Sequence, residues 1–412
     1  MKFAKGSMKS AKGKHSKHHY FPLTRRNFIR GAVAGSVIAG APAILKGLTR
    51  RVKAAEKGVV RMLMTAPTMI PGDWKRFEKD TGLKMEDTVI KDDPGIFLTE
   101  VQVNDAGDRF DIISTLSGTE QSLIDGGNIL QMEASAMPNW SGMPSSIQSM
   151  PYLVRDLSPD AGKVWGVPLA MNADSFGYLP SKLGEPRPPE EASWSLVFES
   201  EKTMGRSSTG DNYIYLWEAL AYLKHTGQLK VADILNPSPA EAKATADFLI
   251  QRKEAGQFRL FWKIFDDQIA VMKNGEVDAI RCWEPAVNEV NKAGGDWVYA
   301  TAKEFYCKWM HGMYITSQVE ERGNLDEVYT ALNWFLSGGY AAAITPLRGY
   351  LNGRPDLAVE YNNSNGLEDI STTMDAAQEK MKLKFAKEDF WFSAVPDNLQ
   401  EMQAQMDRVL NA

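Results

Sequence analysis

Few side chains in this sequence are equipped for covalent or metal chemistry. Its cysteines are Cys282 and Cys307. Among its histidines, His15, His18 and His19 crowd near the start, while His225 and His311 stand apart. That distribution argues against histidine-rich metal coordination. The nucleotide-cradling G-x-G-x-x-G, the redox C-x-x-C, the zinc-holding H-E-x-x-H and the nucleophile elbow G-x-S-x-G are all absent. Hydrolysis by paired carboxylates stays open, because the 52 acids are plentiful and sequence spacing does not fix their separation in space. Clustered tyrosines that could hold a metal are lacking as well, since no two tyrosines are adjacent.

Other residues carry an address rather than a reaction. Thr24-Arg25-Arg26-Asn27-Phe28-Ile29 leads into a Gly- and Ala-rich run ending near Leu45. The run is too short and too weakly apolar for a membrane span, which needs about 20 apolar residues. Paired arginines, an aromatic and a weak apolar stretch fit a twin-arginine secretory signal, with the twin-arginine export machinery as partner. Val52-Lys53-Ala54 resembles its cleavage site, so residues 1–54 are expected to be removed. Of the 47 Lys and Arg, 13 lie in that leader beside no acid, so the rest of the chain sets 34 bases against all 52 acids. So acidic a body argues against nucleic-acid or broad anionic-membrane binding. Beyond the cytoplasm the two cysteines meet oxidising conditions, where a Cys282–Cys307 disulfide and two buried thiols are both open readings.

The elements that must position any site alternate between strand and helix, which argues for an α/β fold. "VVRMLM" (Val59–Met64), "LKMEDTVI" and "RFDIIST" (Arg109–Thr115) read as strands of a parallel, doubly wound start. Between them lie a helix stopped by Gly82 and another over about Ile96–Asn104. Ligands of such sheets bind beyond the carboxyl ends of strands, which singles out Thr65 and Ser117. Two long extended runs, Val164–Leu179 and "EFYCKWMHGMYITS", interrupt the alternation. Val277–Cys282 is a strand with Trp283 at its tip. Ser238 and Asn324 are expected helix caps. "AITPLRGYLNGRPDL" reads as a return broken by proline.

Six stretches carry a family resemblance: "FEKDTGLKM", "FDIISTLSG", "WGVPLAMNADSFGYLP", "MKNGEVDAIRCWEP", "NLDEVYTALNWFLSGG" with "ITPLRGY", and "VPDNLQEMQAQMDRVL". In order and spacing they resemble the periplasmic solute-binding proteins of ABC importers, in the branch that contains the spermidine/putrescine-binding proteins. The resemblance implies two α/β lobes joined by crossover strands and closing like a hinge, the two long extended runs being the crossovers. Lobe one is expected over 57–170 and 310–345, lobe two over 171–309 and 346–412. It further implies a monomeric, non-catalytic periplasmic receptor, without cofactor, that hands a solute to an ABC permease in the inner membrane.

In polyamine-binding members of that branch, aromatic rings sandwich an alkyl chain and carboxylates hold its ammonium ends. Trp283 stands at the family's strand-end cleft tryptophan. Trp309 opens a family Trp-x-Asp that here reads Trp309-Met310-His311, so a histidine replaces the amine-gripping acid. The family's paired acids in lobe two match only Asp211. Asp174, in the first crossover, and Glu284, beside Trp283, are candidates for the lost charge. Arg348 is a candidate partner for a ligand carboxylate or sulfonate. The expected ligand is a small polar, amine-bearing solute. A small anionic or zwitterionic solute, a metal, and an exported hydrolase or oxidoreductase activity are the rival readings.

Overall fold

The computed structural model describes residues 54–70, 74–155, 157, 162–387 and 395–412. Residues 1–53 of the expected leader, with the Arg25-Arg26 pair, lie outside the described residues. Nine strands form one curled sheet: β1 Val59–Thr65, β2 Lys84–Ile90, β3 Ile112–Leu116, β4 Val167–Tyr178, β5 Ser207–Gly210, β6 Phe258–Trp262, β7 Ala279–Cys282, β8 Val298–Tyr299 and β9 Cys307–Ile315. Their order is β2-β1-β3-β9-β4-β7-β5-β6, with β8 also paired to β4.

The sheet has two halves of different parentage. β2, β1 and β3 are mutually parallel, as the opening alternation predicts. β7, β5 and β6 form a second parallel set. The two long extended runs become β4 and β9, which pair antiparallel along Val167–Asp174 and Cys307–Met313. β4 then changes partners. Asp174 is opposite Cys307 of β9, and the next residue, Ser175, is opposite Cys282 of β7. One twelve-residue strand therefore starts in one half-sheet and ends in the other. Every residue of β4 and β9 is buried, in keeping with near-continuous apolar runs covered on both faces.

Principal helices are α1 Lys75–Thr81, α2 Pro94–Gln102, α3 Glu120–Asp125, α4 Tyr213–His225, α5 Pro239–Glu254, α6 Phe265–Lys273, α7 Glu284–Lys292, α8 Leu325–Phe335, α9 Gly339–Arg348, α10 Ser371–Ala386 and α11 Leu399–Asn411. α5 opens with the expected cap: the Ser238 hydroxyl accepts from the Glu241 N–H, and the Glu241 carboxylate accepts from the Ser238 N–H. α11 lays Met402, Met406 and Val409 in a buried stripe, its contacts falling mainly on α5. Two expectations change. Asn324 holds the cap position of α8 without a side-chain cap bond. The proline-broken return is α9, a ten-residue helix with Pro346 inside it. Pro346 falls in the last turn before the helix ends at Gly349; its missing N–H and its ring both act one turn back, on the carbonyl of Ala342.

Cys282 and Cys307 are buried and not bonded to each other, so the disulfide reading does not hold. They flank β4 on its opposite sides, at Ser175 and Asp174. Strands two places apart are separated by about 10 Å, well beyond the roughly 7 Å a disulfide can span. Burial pushes the Cys282 thiol up to about 12, which leaves it unreactive. Among the described residues, no helix is long and apolar enough to cross a membrane.

Candidate binding cleft

The partner exchange at Asp174–Ser175 opens a cleft between the half-sheets. It encloses about 870 Å³ of empty space, open solvent at its mouth included. Its position follows from strand direction, since β2, β5, β6 and β7 all deliver their carboxyl ends to it. There the chain turns into α2, α4, α6 and α7, whose first turns lie at or beside its walls.

The first half-sheet contributes Pro67, Leu116 and the loop Lys91–Pro94. Asp93 caps α2, its carboxylate accepting from the Ile96 N–H at 3.0 Å, and Pro94 starts the helix with its fixed φ. β9 contributes Cys307, Trp309 and His311, which share a face because strand side chains alternate. The second half-sheet contributes Asp211, Tyr215, Trp262, Lys263, Arg281 and Trp283. Asn212, also in the wall, caps α4 by accepting from the Ile214 N–H at 3.1 Å.

Aromatic side chains give the cleft its apolar surface. Trp262 meets Trp283 edge-on at 5.4 Å and Tyr215 at 4.9 Å, while Phe265 stacks behind Trp283 at 6.0 Å. The Trp262 indole N–H donates to the Arg281 carbonyl at 2.7 Å, which fixes the ring. On the other side Trp309 stands edge-on to Tyr350 at 4.9 Å and to His311 at 5.4 Å. Its indole N–H donates to Asp174 Oδ1 at 2.8 Å. Trp309 and Trp283 thus belong to different packing clusters yet line the same cleft.

Charge is distributed unevenly. Arg281, 2% exposed, lies between Glu218 and Asp174: Nη2 reaches Glu218 at 2.7 Å and Asp174 at 2.6 Å. Two buried acids therefore outweigh one buried base. Asp92 keeps 24% of its side chain exposed. The low-dielectric walls push its carboxyl up to about 7, the neighbouring Asp93 charge adds to the rise, and a Thr65 hydrogen bond opposes it. Burial raises Asp211 too, against Lys263 and Lys91. Burial lowers His311 to about 3, so its imidazole is neutral near neutrality.

Thr65, His311 and Asp92 form a series that resembles a nucleophile, base and orienting acid. His311 Nδ1 is 3.3 Å from Thr65 Oγ1, and its Nε2 is 3.9 Å from Asp92. Two facts argue against catalysis. Thr65 is 1% exposed and outside the cleft lining, and an imidazole held near 3 is a poor base at neutral pH. Among the described residues, no group of three or more His, Cys, Asp or Glu is placed to hold a metal ion.

Of the residues singled out in the sequence, Trp283, Trp309, His311, Asp174 and Asp211 come together at the cleft. Thr65 lies directly behind His311. Ser117 is fully buried, and its N–H donates to the Met310 carbonyl at 2.8 Å. Glu284 lies outside the lining, where Lys380 and Lys384 of α10 clasp it. Arg348 also lies outside, with its guanidinium 6.0 Å from the Phe265 ring. Sequence reasoning missed Asp92, Asp93, Tyr215, Trp262, Arg281 and Tyr350. The strand-end rule that picked Thr65 applies equally to Asp92 after β2 and to Trp262 closing β6.

The family model for bacterial extracellular solute-binding proteins matches residues 74–393. Three solved structures share the fold at low identity. A substrate-binding protein of an ABC transporter from Bradyrhizobium japonicum is 16% identical with TM-score 0.63, over 85% of this chain and 99% of that one. A spermidine/putrescine substrate-binding protein from Streptococcus pneumoniae, in complex with calcium and HEPES, is 13% identical with TM-score 0.60, over 86% and 98%. A periplasmic binding protein from A. tumefaciens R10, in complex with agropinic acid, is 16% identical with TM-score 0.59, over 86% and 99%. No curated protein matches in sequence.

Proposed function

The chain belongs to the bacterial extracellular solute-binding proteins of ABC transporters, and from that premise we propose that it captures a small polar, amine-bearing solute in the cleft at Asp174. It passes the solute, unreacted, to an ABC permease in the inner membrane. The protein works in the periplasm after export by the twin-arginine machinery. Residues 57–170 with 310–345 form one lobe, and 171–309 with 346–412 the other. β4 and β9 are the hinge strands about which the lobes close.

One observation carries this reading. The cleft at the sheet's partner exchange combines tryptophans from two packing clusters, Trp309 and Trp283, with four carboxylates, Asp92, Asp93, Asp174 and Asp211. Trp283 and Trp309 supply apolar area and cation–π attraction. Asp92 and Asp93 face the ammonium, Asp211 adds negative charge from the opposite wall, and Asp174 holds Trp309 and Arg281 in place. His311 is a neutral wall residue that Thr65 orients. Glu284 and Arg348 act from behind the wall. Neighbours in complex with agropinic acid and with HEPES support a fold that accepts more than polyamines.

A thermal-shift screen of polyamines, betaines, amino acids and sulfonates tests the reading. At a hundredfold excess over Kd, a true ligand stabilises by about 2.7 kcal/mol, which raises Tm by about 4 °C in a chain of this size. Mass spectrometry must then recover the compound unchanged. Turnover of the compound, or no shift with any amine, would overturn the proposal.

A further inference from the structure

Arg281, a residue of the cleft wall, holds an unused donor. Its Nε donates to both Glu218 oxygens at 2.9 and 3.0 Å, and Nη2 to Glu218 and Asp174. Nη1 is buried and has no partner among the described residues. The guanidinium is part of the cleft wall, 4.9 Å from the Tyr215 ring. A buried charged donor left without an acceptor is costly, whereas a carboxylate oxygen would satisfy it through a charge-assisted hydrogen bond. An ammonium group has no acceptor to offer and would be repelled.

The opposite wall carries two acids beside one base, Lys91. Asp92 and Asp93, at the start of α2, belong to the other half-sheet. We propose that the solute is a zwitterion, with its carboxylate on Arg281 Nη1 and its ammonium facing Asp92 and Asp93. Glu218 and Asp174 already share the charge of Arg281, so the carboxylate depends on the direct bond to Nη1. The amino ends of α4, α6 and α7 on the same side of the cleft add favourable dipole interactions. Such a solute bridges the half-sheets by its two ends, so closure and recognition become one event. A plain diamine leaves Nη1 without an acceptor.

This inference rests on the cleft being an amine receptor, and the experiment separates the two. Calorimetry on the full wild-type protein at neutral pH would compare 4-aminobutanoate, 5-aminopentanoate and 6-aminohexanoate with the α,ω-diamines of equal length. The zwitterion of the best-fitting length is expected to bind at least tenfold tighter than its diamine. Diamines binding equally or more tightly would overturn the zwitterion proposal and leave the amine receptor standing. Binding by neither set would remove both. Arg281→Lys, checked for folding by circular dichroism, is expected to compress the tenfold ratio towards one. An unchanged ratio in the folded variant would also overturn the proposal. The wild-type comparison decides the matter if that variant does not fold.

Discussion

Trp283 is the residue whose removal isolates cleft binding from folding most cleanly. It is half-buried, with the faces of its surroundings formed by Trp262 and Phe265. Trp283→Ala is expected to weaken solute binding by about 1–3 kcal/mol, measured by calorimetry; unchanged affinity would remove it from the site. Asp92 adds a pH dependence. Its carboxyl sits at about 7, so it is largely protonated below neutrality. An ammonium ligand favours the ionised form, so affinity should rise with pH by up to about tenfold per unit below 7 and level off above it. Binding should release protons in that range, and Asp92→Asn should flatten the curve. Alone, the raised Asp92 pKa favours folding at low pH, a contribution lost as pH climbs from the ordinary carboxyl range through about 7. Sequence made Trp283 and Trp309 legible because a tryptophan at a strand tip and another in a crossover run match a family pattern. It hid Asp92 and Asp93 because "KDDPG" looks like an ordinary turn and helix cap, which Asp93 also is. Arg281 left a fainter trace: a charged residue within "DAIRCW" is unusual in a buried strand unless it is paired.

At the scale of elements, the clasp between α10 and α7 shows what sequence separation conceals. Glu284 begins α7 beside a cleft tryptophan and reads there as a ligand contact. Its partners arrive from α10, about a hundred residues later: Lys384 Nζ lies 3.0 Å from its carboxylate, with Lys380 on the other oxygen. Lys384 also donates to Asn172 of β4 at 2.9 Å and lies 5.0 Å from the Tyr299 ring. One lysine thus ties α10 to a crossover strand and to the helix after β7. Burial alone would raise the Glu284 carboxyl, but Lys384 and Lys380 prevail and hold it at about 2. Its contribution to stability is present above the ordinary carboxyl range and is lost as pH falls towards 2. Lys384→Met is expected to destabilise by roughly 3 kcal/mol, the low end for a broken buried pair, because Lys380 remains. Urea unfolding at neutral pH measures this; a loss below about 1 kcal/mol would show that the clasp is dispensable. The strands of the opening alternation and both crossovers were legible from their apolar runs. β5, only four residues long, and α10 carry weak patterns and were not.

At the scale of the whole molecule, the partner exchange within β4 matters most. A strand that pairs with one half-sheet up to Asp174 and with the other from Ser175 places a seam across the sheet. Strand carboxyl ends from both sides meet at that seam, so the cleft is a consequence of topology and its chemistry is supplied by loop residues. That division explains how the family fold can be shared at 13–16% identity while cleft residues change. The fold was readable from patterns spread over the chain. The ligand class was not, because Arg281, Asp92 and Trp262 gain their meaning only when the two half-sheets meet. A crystal structure of the protein grown with the best solute from the thermal-shift screen tests the receptor reading directly. We expect the intact molecule between Trp283 and Trp309, touching Asp92 or Asp93 on one wall and Arg281 on the other. A solute bound outside the Asp174 cleft, or density for a reacted product within it, would contradict the reading.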